Sequence, residues 1–80
     1  MSDRYFVRFN GPEMEGSLRD LLAAAGVPVI AESTGHWEPA DIASYTVRVA
    51  APDPEAAVWR VPEILGDRPY ERFDVEREVS

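Results

Sequence analysis

The sequence predicts an α+β domain: four strands in one antiparallel sheet, in the order 4-1-3-2, with two helices covering one face. Three observations lead there. Tyr5-Phe6-Val7-Arg8-Phe9 is the densest run of aromatic and β-branched residues, and it alternates. Tyr5, Val7 and Phe9 point one way, Phe6 and Arg8 the other, which suits a strand inside a sheet. Apolar residues then recur at helical spacing in two places, after Ser17 and after Asp53. Finally, strand and helix signals follow one another as β-α-β-β-α-β. Two right-handed crossovers, interleaved, make that order a two-layer sandwich with strands one and three in the centre.

Each element has its own warrant. Asn10 to Gly16 reads as a loop opened by Gly11-Pro12. Ser17 reads as a helix N-cap, with Asp20 as a weak capping-box partner. Leu18, Leu21, Leu22 and Ala25 form the buried stripe, and Gly26 suits a left-handed residue past the last turn. Val27 to Ser33 reads as strand two, and Pro28 sends it to an edge or to its own first residues because proline cannot donate to a ladder. Thr34 to Ser44 reads as a long loop, and Tyr45 to Ala51 as strand three. Asp53-Pro54-Glu55 is a helix start: cap, proline at the first helical position, then an acid facing the helix dipole. Ala57, Val58, Val61, Ile64 and Leu65 make its stripe, and Pro62 predicts a kink or break near Arg60. Tyr70 to Val79 reads as strand four, whose dense charge suits an edge.

Composition narrows the function classes. Eighty residues make one domain over 1–80, with a modest core. No cysteine is present to staple it, which excludes a disulfide mini-protein and agrees with a cytoplasmic setting. No apolar run reaches the ~20 residues of a membrane helix. The net charge of −7 argues against duplex DNA or an anionic membrane as partner. All eight basic residues are arginine, a residue suited to anion recognition where its planar fork is well placed.

The predicted order is that of a ferredoxin-like domain. Gly16-Ser17-Leu18, the Leu21/Leu22 stripe and Ala25-Gly26-Val27-Pro28-Val29 resemble the opening of ACT domains, small regulatory modules that bind amino acids, usually at a paired interface. The helix is about one turn shorter than that pattern, and Pro28 stands where asparagine is frequent. The resemblance implies a small-molecule site in the Asn10–Gly16 loop, with Asn10, Gly11, Glu13 and Gly16 as contacts.

Other candidates come from the residues themselves. His36, the only histidine, shares the 34–44 loop with Trp37 and Glu38. No metal-ligand spacing surrounds it, and no nucleophile signature accompanies it. Trp59 falls roughly 160° from the centre of its helix's buried stripe, which marks either an interface or a ring turned back under a loop by the Pro62 kink. The sheet face away from the helices is expected to carry Phe6, Arg8, Ile30, Glu32, Thr46, Arg48, Tyr70, Arg72 and Asp74. Arg8, Arg48 and Arg72 there suit cross-strand ion pairs, self-association or, less well among acids, single-stranded RNA. The first expectation is a non-catalytic binding or regulatory module that acts on a protein partner or a second copy and needs no cofactor. One alternative is a small enzyme with His36 as acid/base in a pocket under the 34–44 loop. Another is an acidic mimic of nucleic acid.

Overall fold

The computed structural model describes residues 3–37 and 40–78. The chain runs β1 (Asp3–Gly11), α1 (Gly16–Ala24), β2 (Val29–Trp37), β3 (Ala40–Ala51), α2 (Pro54–Leu65) and β4 (Glu71–Arg77). The strands form one sheet in the order β2-β3-β1-β4, every neighbouring pair antiparallel. This is the expected 4-1-3-2 order seen from the other edge, with β2 and β4 outermost.

The core lies on one face of the sheet. Tyr5, Val7 and Phe9 of β1 and Tyr45, Val47 and Val49 of β3 are buried there with Leu18 and Leu22 of α1 and Ala57, Val61 and Leu65 of α2. Phe73 and Val75 of β4 pack at its margin, half-buried. Alternation on the two central strands therefore reads through directly: every second residue faces the helices.

The helix ends differ from one another. Asp53 caps α2 as its sequence requires, its carboxylate accepting from the Ala56 N–H at 2.7 Å. Ser17 does not cap α1. The helix begins one residue earlier, at Gly16, and Glu15 stands at the cap with no side-chain hydrogen bond; its carbonyl accepts from the amides of Leu18 and Arg19. The far end of α1 closes as a Schellman turn. Gly26 has φ +84°, Val27 N–H reaches the Leu22 carbonyl and Gly26 N–H the Ala23 carbonyl. Leu21 leaves the expected stripe and is 45 % exposed. The break foreseen near Pro62 is absent: α2 is one helix across it. Val61 and Leu65, both buried, anchor the backbone on either side of the lost hydrogen bond.

The 34–44 segment is not a loop. Its backbone extends β2 and β3 into a long hairpin arm, with Thr34 opposite Ala43, Gly35 opposite Ile42, His36 opposite Asp41 and Trp37 opposite Ala40. Backbone pairing overrode the turn-forming residues there. At about 3.3 Å per residue, the 12-residue β3 sets the 43 Å long axis of the molecule.

Two bulges reassign side chains that alternation alone misplaces. In β2 the register slips between Val29 and Ala31, so Glu32 comes opposite the inward Tyr45 and joins the helix side, where it pairs with Arg19 of α1. Between β1 and β4 the register slips between Arg8 and Asn10. Glu71 pairs with Asn10, and Tyr70 turns to the helix side instead of the open face. Arg72 sits in this bulge at φ +63°, a backbone conformation that glycine usually occupies.

Candidate functional site

Three surfaces contain the residues singled out from sequence, and the structure keeps them apart. The first is a groove of about 540 Å³ between the β1–α1 loop, α1 and the α2–β4 connection. Pro12, Glu13 and Glu15 line it from the loop, Leu21 from the helix, and Arg68 and Tyr70 from the far side. The loop is held from below. Tyr45, buried on β3, accepts through its hydroxyl from the Met14 N–H at 2.6 Å and donates to the Pro12 carbonyl at 3.2 Å. Met14, buried in the core, was not distinguished from the rest of its loop by any sequence pattern. Tyr45, Tyr70 and Phe73 surround Phe9, with ring centroids 5.5–5.6 Å from it. Burial, followed by the neighbouring Tyr45, raises the Tyr70 phenol above its ordinary pKa.

Of the four contacts implied by the loop, only Glu13 lines the groove. Gly11 lies beneath the Tyr70 ring, where a Cβ would fall 2.8 Å from Cε1 and 2.9 Å from Cγ, and closer still to Cδ1. Asn10 accepts a hydrogen bond from the Ser44 hydroxyl at 2.8 Å, a pairing across β1 and β3. Gly16 is the first residue of α1. Arg68, the groove's one cation, donates to the Leu65 carbonyl at 2.8 Å and so closes the end of α2.

The second surface is the open face of the sheet. Its arginines are engaged. Arg8 pairs with Glu76 at 3.1 Å and Arg48 with Glu78 at 3.0 Å, both reaching the β4 side. The Arg48 guanidinium also lies over the Phe6 ring, 5.7 Å from its centroid, and its Nε is buried without a partner. Phe6 is therefore covered rather than presented. Glu32 and Tyr70 have left this face, and Arg72 is on the edge strand in the bulge, so the three arginines do not form a row.

The third surface is the outer side of α2. Trp59 is 60 % exposed, the most exposed of the large hydrophobic residues. Arg60, beside it in sequence, turns away and donates to the Ala25 carbonyl at 3.0 Å, tying α2 to the end of α1. The ring is not folded back under a loop by Pro62.

The backbones of His36 and Trp37 lie in β2, whereas their side chains and all of Glu38 lie outside the described residues. Among the described residues no group of three or more His, Asp or Glu could hold a metal ion, and no helix is long and apolar enough to cross a membrane. No known protein family and no curated protein matches the chain.

Proposed function

We propose that this chain is a ferredoxin-like binding module without catalysis, which works by contact with another protein through the outer face of α2. The observation that carries the reading is the exposure of Trp59 on a helix whose opposite side is fully committed to the core. An indole buries ~150–250 Å² when enclosed. With 60 % of Trp59 still open, a contact removes roughly 90–150 Å² from water. At about 25 cal/mol/Å² that is ~2–4 kcal/mol before association costs. The open face is a weaker candidate because its arginines are spent on β4 carboxylates and on Phe6. The groove supports a secondary small-ligand role: its size is that of small-molecule sites, and apolar walls flank its charged rim.

The test is a comparison of wild type with Trp59→Ala. Sedimentation reports self-association, affinity purification from the native cell reports partners, and thermal melts report folding. Trp59→Ala should leave stability within ~0.5 kcal/mol, as exposed substitutions do, and should remove the association. Association unchanged in Trp59→Ala would defeat the reading.

A further inference from the structure

We propose that the outer face of α2 receives a cationic segment of another protein, with an arginine or lysine of that partner stacked on Trp59 between Glu55 and Glu63. The inference rests on the binding-module reading and adds the chemistry of the partner. On α2, residues four apart are surface neighbours, with Cβ atoms ~5–6 Å apart. Glu55 and Glu63 therefore flank Trp59 one turn to either side, about 40° from it around the axis. Both are exposed, as is Trp59. The nearest basic residue, Arg60, is about 100° away around the helix and is engaged at the end of α1. The stripe is thus acid, aromatic, acid, on a chain of net charge −7.

That arrangement discriminates among occupants. A cation over an indole face is attracted by the ring quadrupole, and the two carboxylates add ion pairs on either side. Phosphates of a nucleic acid and the headgroups of an anionic bilayer meet repulsion instead. A second copy is disfavoured by symmetry. Two α2 helices packed antiparallel about a two-fold axis through Trp59 would set each Glu55 against the other copy's Glu63. Arg8, Arg19, Arg48 and Arg77, which might serve a head-to-tail contact, are each already against a carboxylate. One ring and two acids make a contact far below the ~1,600 Å² of a standard stable interface, so the partner segment is short and its exchange fast.

The experiment uses the full chain carrying Trp37→Phe, so that Trp59 is its only indole, with a thermal melt to confirm folding. The probes are a short arginine–glycine peptide and a glutamate–glycine peptide of equal length, followed by Trp59 fluorescence and by calorimetry. The arginine peptide should bind, more weakly as salt rises, and the glutamate peptide should not. Glu55→Gln/Glu63→Gln should weaken binding about 3- to 20-fold, and Trp59→Ala, read by calorimetry, about 3- to 30-fold. Asp20→Asn/Glu71→Gln, the same loss of charge elsewhere on the surface, should change it less than about twofold. Equal binding of the two peptides, or equal weakening by the two charge-removing pairs, would overturn the proposal. If Trp59→Ala abolishes capture of a native partner while Glu55→Gln/Glu63→Gln leaves it intact, the cationic assignment falls and the binding-module reading stands. If neither variant affects capture, both fall.

Discussion

Gly11→Ala should be among the most damaging single-methyl additions in this chain, and the reason lies in Tyr70. A Cβ on Gly11 would sit inside the Tyr70 ring, with Cε1 and Cγ both under 3 Å away. The ring cannot step aside freely, because its edge packs on Phe9 at 5.5 Å and on Tyr45 at 6.1 Å. Overpacking of this kind costs ~1–3 kcal/mol, and disturbing two aromatic contacts adds ~0.5–1.5 kcal/mol for each one lost. The expected destabilisation is about 2–4 kcal/mol, a large share of the ~5–15 kcal/mol of a small domain. At ~4–8 °C per kcal/mol for this size, the midpoint should fall by roughly 10–25 °C. Thermal and urea melts of four proteins test it: wild type, Gly11→Ala, Tyr70→Ala and the double variant. With the ring gone, Gly11→Ala should be within ~0.5 kcal/mol of neutral, since Gly11 is not at positive φ. An equal cost for Gly11→Ala with and without Tyr70 would refute the steric account and point to backbone conformation instead.

Three further outcomes follow from the same packing. Arg72→Gly should stabilise the fold by about 0.5–1 kcal/mol, because it removes a left-handed strain of ~1–2 kcal/mol and restores only part of that as unfolded-chain freedom; a lower midpoint would show that the Arg72 side chain does more than bear the strain at φ +63°. Tyr45→Phe should cost ~1–3 kcal/mol by leaving the buried Met14 N–H unpaired, and amide exchange at Met14 should rise more than at Val47. Stability should decline at alkaline pH in part through Tyr70. Its folded pKa is raised, first by burial, so the folded state holds the proton more tightly than the unfolded chain. The contribution is complete below the ordinary value of about 10 and is lost as pH rises through that value towards the higher folded pKa. Tyr70→Phe should flatten this alkaline decline, and a slope unchanged in that variant would assign it elsewhere.

What sequence alone determined was whatever depends on a run of neighbours. Alternation on Tyr5–Phe9 and on Tyr45–Val49 placed the two central strands and their inward faces, because the pleat has a fixed period of two. Pro28 placed β2 at an edge, where its carbonyl still accepts from the Arg48 N–H while its missing donor is not needed. Asp53-Pro54 started α2, and the stripe through Val61 turned Trp59 outward, so one candidate binding residue was legible before any coordinates.

Tertiary structure decided the rest. No glycine marks the bulge at Arg72, and its strained backbone is held by pairing of β4 with β1 on either side. That one extra residue moved Tyr70 from the open face into the aromatic cluster, and its counterpart near Ile30 moved Glu32 to Arg19. Thr34 to Ser44 read as a loop because local propensity there is poor for strands, yet each chain segment supplies the other's hydrogen bonds in the hairpin arm. Pro62 was overruled for the same kind of reason: burial of Val61 and Leu65 outweighs one lost backbone bond. A period can be read along a chain, but a shift in register, a ring lying over a glycine, or a helix held straight by its core depends on residues that are distant in sequence and adjacent only in the fold.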